Sequence, residues 1–362
     1  MDQSLYRYSL MLALPLILFF GFHMLLARVP EKQIYSNYLR SRRLMGVALL
    51  ILAANYSVHL LFGIRLKDVG ATILFNMSTY FLCYWLFCSG MMTLLDNAYV
   101  TRKRFTSHLL MWLAYSAIAA VAALLLGTVA RRWVMLSLAI WLLVYGVLLS
   151  RRILRTYSKA LKMFENTHSD DIGAYISWLS VFTYWAICFG VSCGLLTFLP
   201  DAYVFVWILS SIPFYIYLYC CYQNYIFFYE KVENALLEDA DIAADGAGEA
   251  PAYHSEIGRR IEDWIDTNGY CKPGITLNEL AQALCTNRTY LSEYINGVYG
   301  MSYRDWISDM RIGYAKRLMT DKPHLKLQEV SEASGFLSIS HFSRTFSEKE
   351  GCSPAKWRNS KH

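Results

Sequence analysis

The stretch TLNELAQALCTNRTYLSEYIN, residues 276–296, decides what the last third of this chain is. Thr276 and Glu279 stand three apart at the head of an apolar run. The hydroxyl at such a position caps the first helical amides while the carboxylate reaches back to the capping residue's own N–H, so a helix starts here. Three residues, CTN, separate it from RTYLSEYIN. A helix, a turn of three or four residues and a second helix make a helix-turn-helix. In the second helix Leu291, Tyr294 and Ile295 recur at the spacing of one buried face. Asn287, Arg288, Thr289, Ser292 and Glu293 are left to face outward.

The neighbouring segments extend the same pattern. Upstream, Ile257, Ile261, Trp264 and Ile265 form an apolar stripe that ends at NGYCKPG. Downstream, MSYRDWISDMRIGYAKRLMTD opens on Ser302 and Asp305, another capping pair, and carries Trp306, Ile307, Met310, Tyr314 and Leu318. Its roughly 18 helical residues would span about 27 Å, and Pro323 forbids continuation. The unit then repeats as LQEVSEAS, a turn at 335–338, and ISHFSRTFSEKEG. Phe342 and Phe346 point inward, while Ser340, His341 and Arg344 share another face. CSPAKWR closes the region, with Ser353 as cap and Pro354 at the first helical position. Two such units on one stiff helix can lay both second helices along one side of a duplex, whose major-groove faces recur about every 34 Å.

The rest of the chain is written for a different solvent. Of 362 residues 56% are hydrophobic, and the mean hydropathy is +0.28, more than a soluble core needs. Seven stretches approach the roughly 20 apolar residues that cross a bilayer: 8–27, 44–64, 71–95, 105–130, 133–150, 175–199 and 202–228. The first is not read as a cleaved signal, because its apolar run is long, its basic flank is Arg7 alone and no small-residue cleavage site follows. The expected fold class is therefore all-α. A seven-helix transmembrane bundle (1–229) precedes an acidic juxtamembrane helix with a flexible linker (230–252) and a cytosolic all-helical domain with two helix-turn-helix units (253–362).

Charge orients this arrangement. Residues 1–229 hold 18 Lys and Arg against 8 Asp and Glu, 230–252 one Lys against seven acids, and 253–362 15 against 13. The C-terminal domain is only mildly basic, so bulk charge does not mark it as a nucleic-acid binder. The loops after the first, third and fifth spans carry 13 basic residues, and the opposite side carries 5. Cytoplasmic loops collect Lys and Arg, so the N-terminus is expected in the periplasm and the C-terminal domain in the cytoplasm.

After Phe228, Val232, Leu236, Ala240 and Ala243 recur among acids. This is either a helix continuing from the last span and pairing with a second copy, or a solvated tether. GAGEAPA, residues 246–252, reads as a linker. The run FYIYLYCCYQNYIFFY, residues 214–229, fits an aromatic belt at the membrane surface. Within the spans, Asn55, His59 and Asn76 are candidate sensing residues. They either line a ligand pocket or hydrogen-bond between helices.

The nine cysteines show neither CxxC nor Cys/His spacing, so no zinc site, other metal or disulfide framework is expected. No HExxH, P-loop, nucleophile elbow or paired intramembrane acids appear, and no cofactor or enzymatic activity is expected.

The combination LNELAQAL, RTYLSEYI, GMSYRDWISDMRIGYAKRLM, LQEVSEASGF, SHFSRTF and GCSPAKWR resembles the AraC/XylS-type DNA-binding domain of bacterial transcription regulators. The resemblance covers about residues 255–358, under a third of the chain. It implies sequence-specific binding of double-stranded promoter DNA through two major-groove contacts. The groove faces it implies are Arg288, Thr289, Ser292 and Glu293 on the first reading helix and Ile339, Ser340, His341 and Arg344 on the second. Glu293 departs from the basic or amide residue more usual in the family, and Ile339 from a polar one. For His341 the alternatives are a hydrogen bond to DNA and a packing or capping role.

Together these features point to a regulator in the bacterial inner membrane that senses a signal and binds DNA in one polypeptide. Its expected partners are the bilayer, RNA polymerase and a second copy as a homodimer. Two alternatives stand beside it: a transporter or membrane enzyme with an appended DNA-binding tail, and a membrane-anchored regulator released by proteolysis.

Overall fold

The computed structural model describes residues 3–30, 32–96, 98–186, 188, 203–244 and 254–361. Every extended element among them is helical, apart from one isolated β-bridge, and the chain folds into two compact units. One comprises Met1–Ser158 and Ile176–Glu233, the other Lys159–Tyr175 and Asn234–His362.

The first unit is built on α1 (Gln3–Leu26), α2 (Ser36–Phe62), a single turn α3 (Ile64–Lys67), α4 (Val69–Leu95), α5 (Arg102–Leu125), most of α6 (Thr128–Thr167), most of α7 (Gly173–Ala186) and the first part of α8 (Val204–Ala244). Helix starts follow capping chemistry. Asp68 accepts from the Ala71 amide at 2.9 Å to begin α4, and Thr101 accepts from the Arg104 amide at 3.2 Å to begin α5. Among the described residues six helices are long and apolar enough to cross a membrane: α1, α2, α4, α5, α6 and α8. The remaining expected span, 175–199, overlaps α7, but residues 187 and 189–199 lie outside the described residues. So does the expected linker at 246–252.

Helix α4 is the most interior of the six. Most of its side chains are buried, whereas on α5 only Tyr115, Ala119 and Ala122 are, which places α4 at the centre and α5 at the rim. Polar side chains hold the neighbours together. Tyr38 on α2 donates to the Tyr222 carbonyl at 2.8 Å, and Ser41 donates to the Gly90 carbonyl at 2.6 Å. In hydrocarbon such bonds are worth about 0.6 kcal/mol each on average.

Two features differ from the expectations. The fifth span, read as 133–150, is part of a 40-residue helix that runs on to Thr167. No Gly or Pro interrupts 151–167, and Arg, Leu, Lys and Ala are good helix formers there. The aromatic run at 214–229 is not simply a surface belt. Tyr222, Tyr225 and Tyr229 are fully buried, since spacings of three and four put them on one inward face, while Phe227 stays 80% exposed. Helix α8 continues without a break to Ala244, so the continuing-helix alternative describes the backbone here.

The second unit holds two small cores bridged by one helix. Helix α9 (His254–Asp266), α10 (Leu277–Ala283) and α11 (Arg288–Tyr299) pack with the start of α12 (Tyr303–Asp321) around Ile257, Ile261, Leu280, Leu291, Ile295 and Trp306. The far half of α12 gives Ile312, Ala315 and Met319 to a second core with α13 (Leu327–Ala333), α14 (Ile339–Glu350) and α15 (Pro354–Lys361), filled by Val330, Phe336, Phe342 and Phe346. The last turns of α6, the loop after it and the first residues of α7 belong to this unit.

Candidate nucleic-acid interface

The first helix-turn-helix forms as its capping chemistry dictates. The Thr276 hydroxyl accepts from the Glu279 amide at 3.2 Å, and the Glu279 carboxylate accepts from the Thr276 amide at 3.0 Å. The turn is closed by the Thr286 amide donating to the Ala281 carbonyl at 2.9 Å, with Cys285 at φ 52°. Asn287 caps α11 by accepting from the Tyr290 amide at 2.7 Å. With Tyr290, Leu291 and Ile295 buried, Thr289 and Glu293 are exposed and Arg288 and Ser292 half-buried on the other face.

The second helix-turn-helix repeats the arrangement, its turn closed by the Phe336 amide donating to the Ser331 carbonyl at 3.1 Å. Gly335 sits at φ 83°, and a Cβ there would lie 2.5 Å from the Cys271 carbonyl oxygen. Only glycine satisfies both the left-handed backbone and that close approach. Ser338 caps α14 by accepting from the His341 amide at 3.2 Å. Phe342 and Phe346 are fully buried, which leaves Ile339, Ser340 and Arg344 exposed. His341 does not share that exposed face. It is 9% exposed, its ring meets Phe336 edge-on at 5.4 Å, and its Nε2 has no hydrogen-bond partner among the described residues. Burial, then the positive charges of Arg304 and Arg311, push its pKa down to about 4, so the ring is neutral at physiological pH.

Two groups that the sequence pattern did not single out organise this surface. Arg311, on α12, is fully buried. Its Nε donates to the Tyr270 carbonyl at 2.8 Å and one terminal nitrogen to the Lys272 carbonyl at 2.8 Å, while the guanidinium lies over the Phe336 ring. It therefore ties the first core to the second across the connecting helix. The other group is the acidic pair Asp170–Asp171 in the loop after α6. Asp170 approaches Arg311 at 3.7 Å, and Asp171 pairs with Arg304 at 3.2 Å and with Arg344. The sequence signal was three consecutive polar residues, SDD, after a basic helix. Nothing local in it names an arginine partner.

In the first unit Asn55, His59 and Asn76 do meet. The Asn76 carboxamide oxygen accepts from Asn55 at 3.0 Å and lies 2.7 Å from His59 Nε2, and Tyr6 bonds His59 Nδ1 at 2.9 Å. Thr79 also accepts from Asn55, at 3.1 Å. Tyr6, Asn55, His59 and Asn76, with Arg65 and Trp207, line a small cavity.

Comparison with known proteins is consistent with this geometry at the C-terminal end. The helix-turn-helix domain family matches residues 280–360. The chain carries a helix-turn-helix domain of AraC type. It is 31% identical over 85 residues to the HTH-type transcriptional regulator ExsA of Pseudomonas aeruginosa, covering 24% of this chain and 30% of that one. It is 32% identical over 102 residues to the virulence regulon transcriptional activator VirF of Yersinia enterocolitica, covering 28% and 36%. It is 27% identical over 141 residues to the HTH-type regulator YobQ of Bacillus subtilis, covering 36% and 56%. The chain thus spans about a third of the length of the first two relatives and just over half of the third. No solved structure matches the chain.

Proposed function

We propose that this protein is a membrane-bound transcription regulator that binds promoter DNA through α11 and α14 under the control of a signal met at the membrane. The observation that carries the reading is the pairing of two capped helix-turn-helix units on one 19-residue helix, α12. At 1.5 Å per residue it is about 28 Å long, suited to placing α11 and α14 in successive major-groove faces. Arg288, Thr289, Ser292 and Glu293 would then face one groove segment, and Ile339, Ser340 and Arg344 the next. An Arg is the commonest reader of guanine, through its N7 and O6.

The six long apolar helices support insertion in a bilayer, and the distribution of basic loop residues supports a cytoplasmic C-terminal unit. The signal is proposed to act on the helices of the first unit, where the Asn55–His59–Asn76 cluster is the polar focus. Dimerisation along α8 and contact with RNA polymerase belong to the same proposal. Mapping of bound chromosomal DNA in cells tests it. The wild-type chain is expected to occupy discrete promoters, and Arg344→Ala to lower that occupancy by the about 1–3 kcal/mol of one lost base contact. A fusion reporter placing the C-terminus outside the cytoplasm would end the reading.

A further inference from the structure

The acidic loop after α6 sits on the face that the proposed function gives to DNA. Within the second compact unit, Asp171 uses both carboxylate oxygens: one lies 3.2 Å from an Arg304 nitrogen and the other accepts from Arg344. Its side chain is 13% exposed, whereas that of Arg344 is 49% exposed. The carboxylate is thus held beneath an arginine that remains reachable from outside. Arg304 also faces Glu165 at 3.9 Å.

The loop is anchored rather than merely adjacent. His168 forms an antiparallel bridge with Thr276, and the Ser169 amide donates to the Ile275 carbonyl at 3.3 Å. Arg311 donates to the Ser169 hydroxyl at 3.3 Å and faces Asp170. Both helix-turn-helix units and the connecting helix therefore hold the segment in place.

We infer that Asp171 is an internal substitute for the DNA acceptors that Arg344 would read, clamped between Arg304 and Arg344, so that DNA must displace the 168–172 segment before α14 can dock. The inference rests on the reading that α14 faces DNA through Arg344. A guanidinium fork pairs with a carboxylate through the same parallel donors that it offers to the N7 and O6 of guanine, so an arginine engaged by Asp171 is withheld from a base. A duplex presents one negative charge per about 1.7 Å of axis. It can therefore outcompete a single carboxylate once other contacts bring it close, which makes the clamp a threshold and not a permanent block. The segment begins at the residue after α6 ends, so a rotation or shift of that helix would act directly on Asp171.

The test uses the full-length chain in lipid nanodiscs and the promoter fragment recovered with it from cells. Asp171→Asn keeps the shape of the side chain and removes its charge. It is expected to tighten Kd about two- to fivefold, the upper part of the range for one partly exposed ion pair. Asp171→Glu is expected to behave as wild type. The double variant Asp171→Asn with Arg344→Ala should bind no better than Arg344→Ala alone. If Asp171→Asn leaves Kd unchanged while Arg344→Ala weakens it, the masking idea is wrong and the DNA reading survives. If neither substitution changes Kd, both are wrong. Hydrogen exchange on the unmodified protein guards against a misfolded variant: adding the fragment should speed exchange of the Ser169 amide, and unchanged or slower exchange would overturn the inference.

Discussion

The Arg311 guanidinium lies 5.7 Å from the centre of the Phe336 ring. That contact joins the connecting helix to the turn of the second helix-turn-helix, and the same side chain bonds the Tyr270 and Lys272 carbonyls beside the first. Removing a fully buried cation leaves the Tyr270 and Lys272 carbonyls unpaired and opens a cavity between the two cores. Arg311→Ala is expected to destabilise the second unit by about 3–5 kcal/mol. Arg311→Lys should recover little, because an ammonium lacks the planar fork. Pulse proteolysis of the membrane-embedded chain in urea, followed through a C-terminal tag, measures both.

Two glycines separate backbone strain from close packing. Gly335 and Gly300 both have positive φ, 83° and 68°, but a Cβ at Gly335 meets the Cys271 carbonyl, whereas one at Gly300 meets open space. Gly300→Ala should cost only the left-handed penalty, about 1–2 kcal/mol. Gly335→Ala should cost clearly more and shift the turn that aims α14. Unfolding midpoints of the two variants, compared by the same proteolysis, decide the order.

His341 predicts a pH dependence with a definite sign. Its folded pKa is about 4, below the roughly 6.5 of an unfolded histidine. The unfolded chain therefore binds more protons, and stability falls as pH drops from about 6.5 towards 4. At pH 5 the loss attributable to this ring is on the order of 2 kcal/mol. His341→Phe, which cannot titrate, should flatten that part of the profile between pH 7 and pH 5. A slope as steep in the variant as in the wild type would assign the dependence to other groups.

The polar cluster of the first unit yields a further test. Asn76 accepts from Asn55 and lies against His59, both buried. Asn76→Leu keeps the branched shape, with bulkier ends, and removes both bonds. It is expected to lower stability in the bilayer by about 1–2 kcal/mol, given about 0.6 kcal/mol per interhelical bond and the cost of leaving partners unsatisfied. Reversible unfolding in mixed micelles measures the change, and an unaltered midpoint would show that the cluster does not hold the helices together.

How much of this was legible beforehand depended on distance along the chain. The capping pairs Thr276/Glu279 and Ser302/Asp305, the inward Phe342 and Phe346, and the outward Thr289 and Arg344 all follow from relationships three or four residues apart. His341 was harder. Its helical position suggested the exposed face it shares with Ser340 and Arg344, but the ring turns onto Phe336 because the tight turn at Gly335 brings that aromatic back over the start of α14. Arg311 was harder still, since an arginine at a helix centre is ordinarily solvated. Only the converging carbonyls of Tyr270 and Lys272 make its burial favourable.

The amino-acid sequence by itself determined the helices, their caps and the apolar lengths that suit a bilayer, because each is set by neighbours within one or two turns. Only the tertiary structure decided which charges meet. Asp171 and Arg344 are 173 residues apart, and their pairing depends on a loop, a bridge at Thr276 and the placement of α12 together. Coulomb attraction between side chains carries no signature in local spacing. It is settled only once the backbone has brought the two groups within reach.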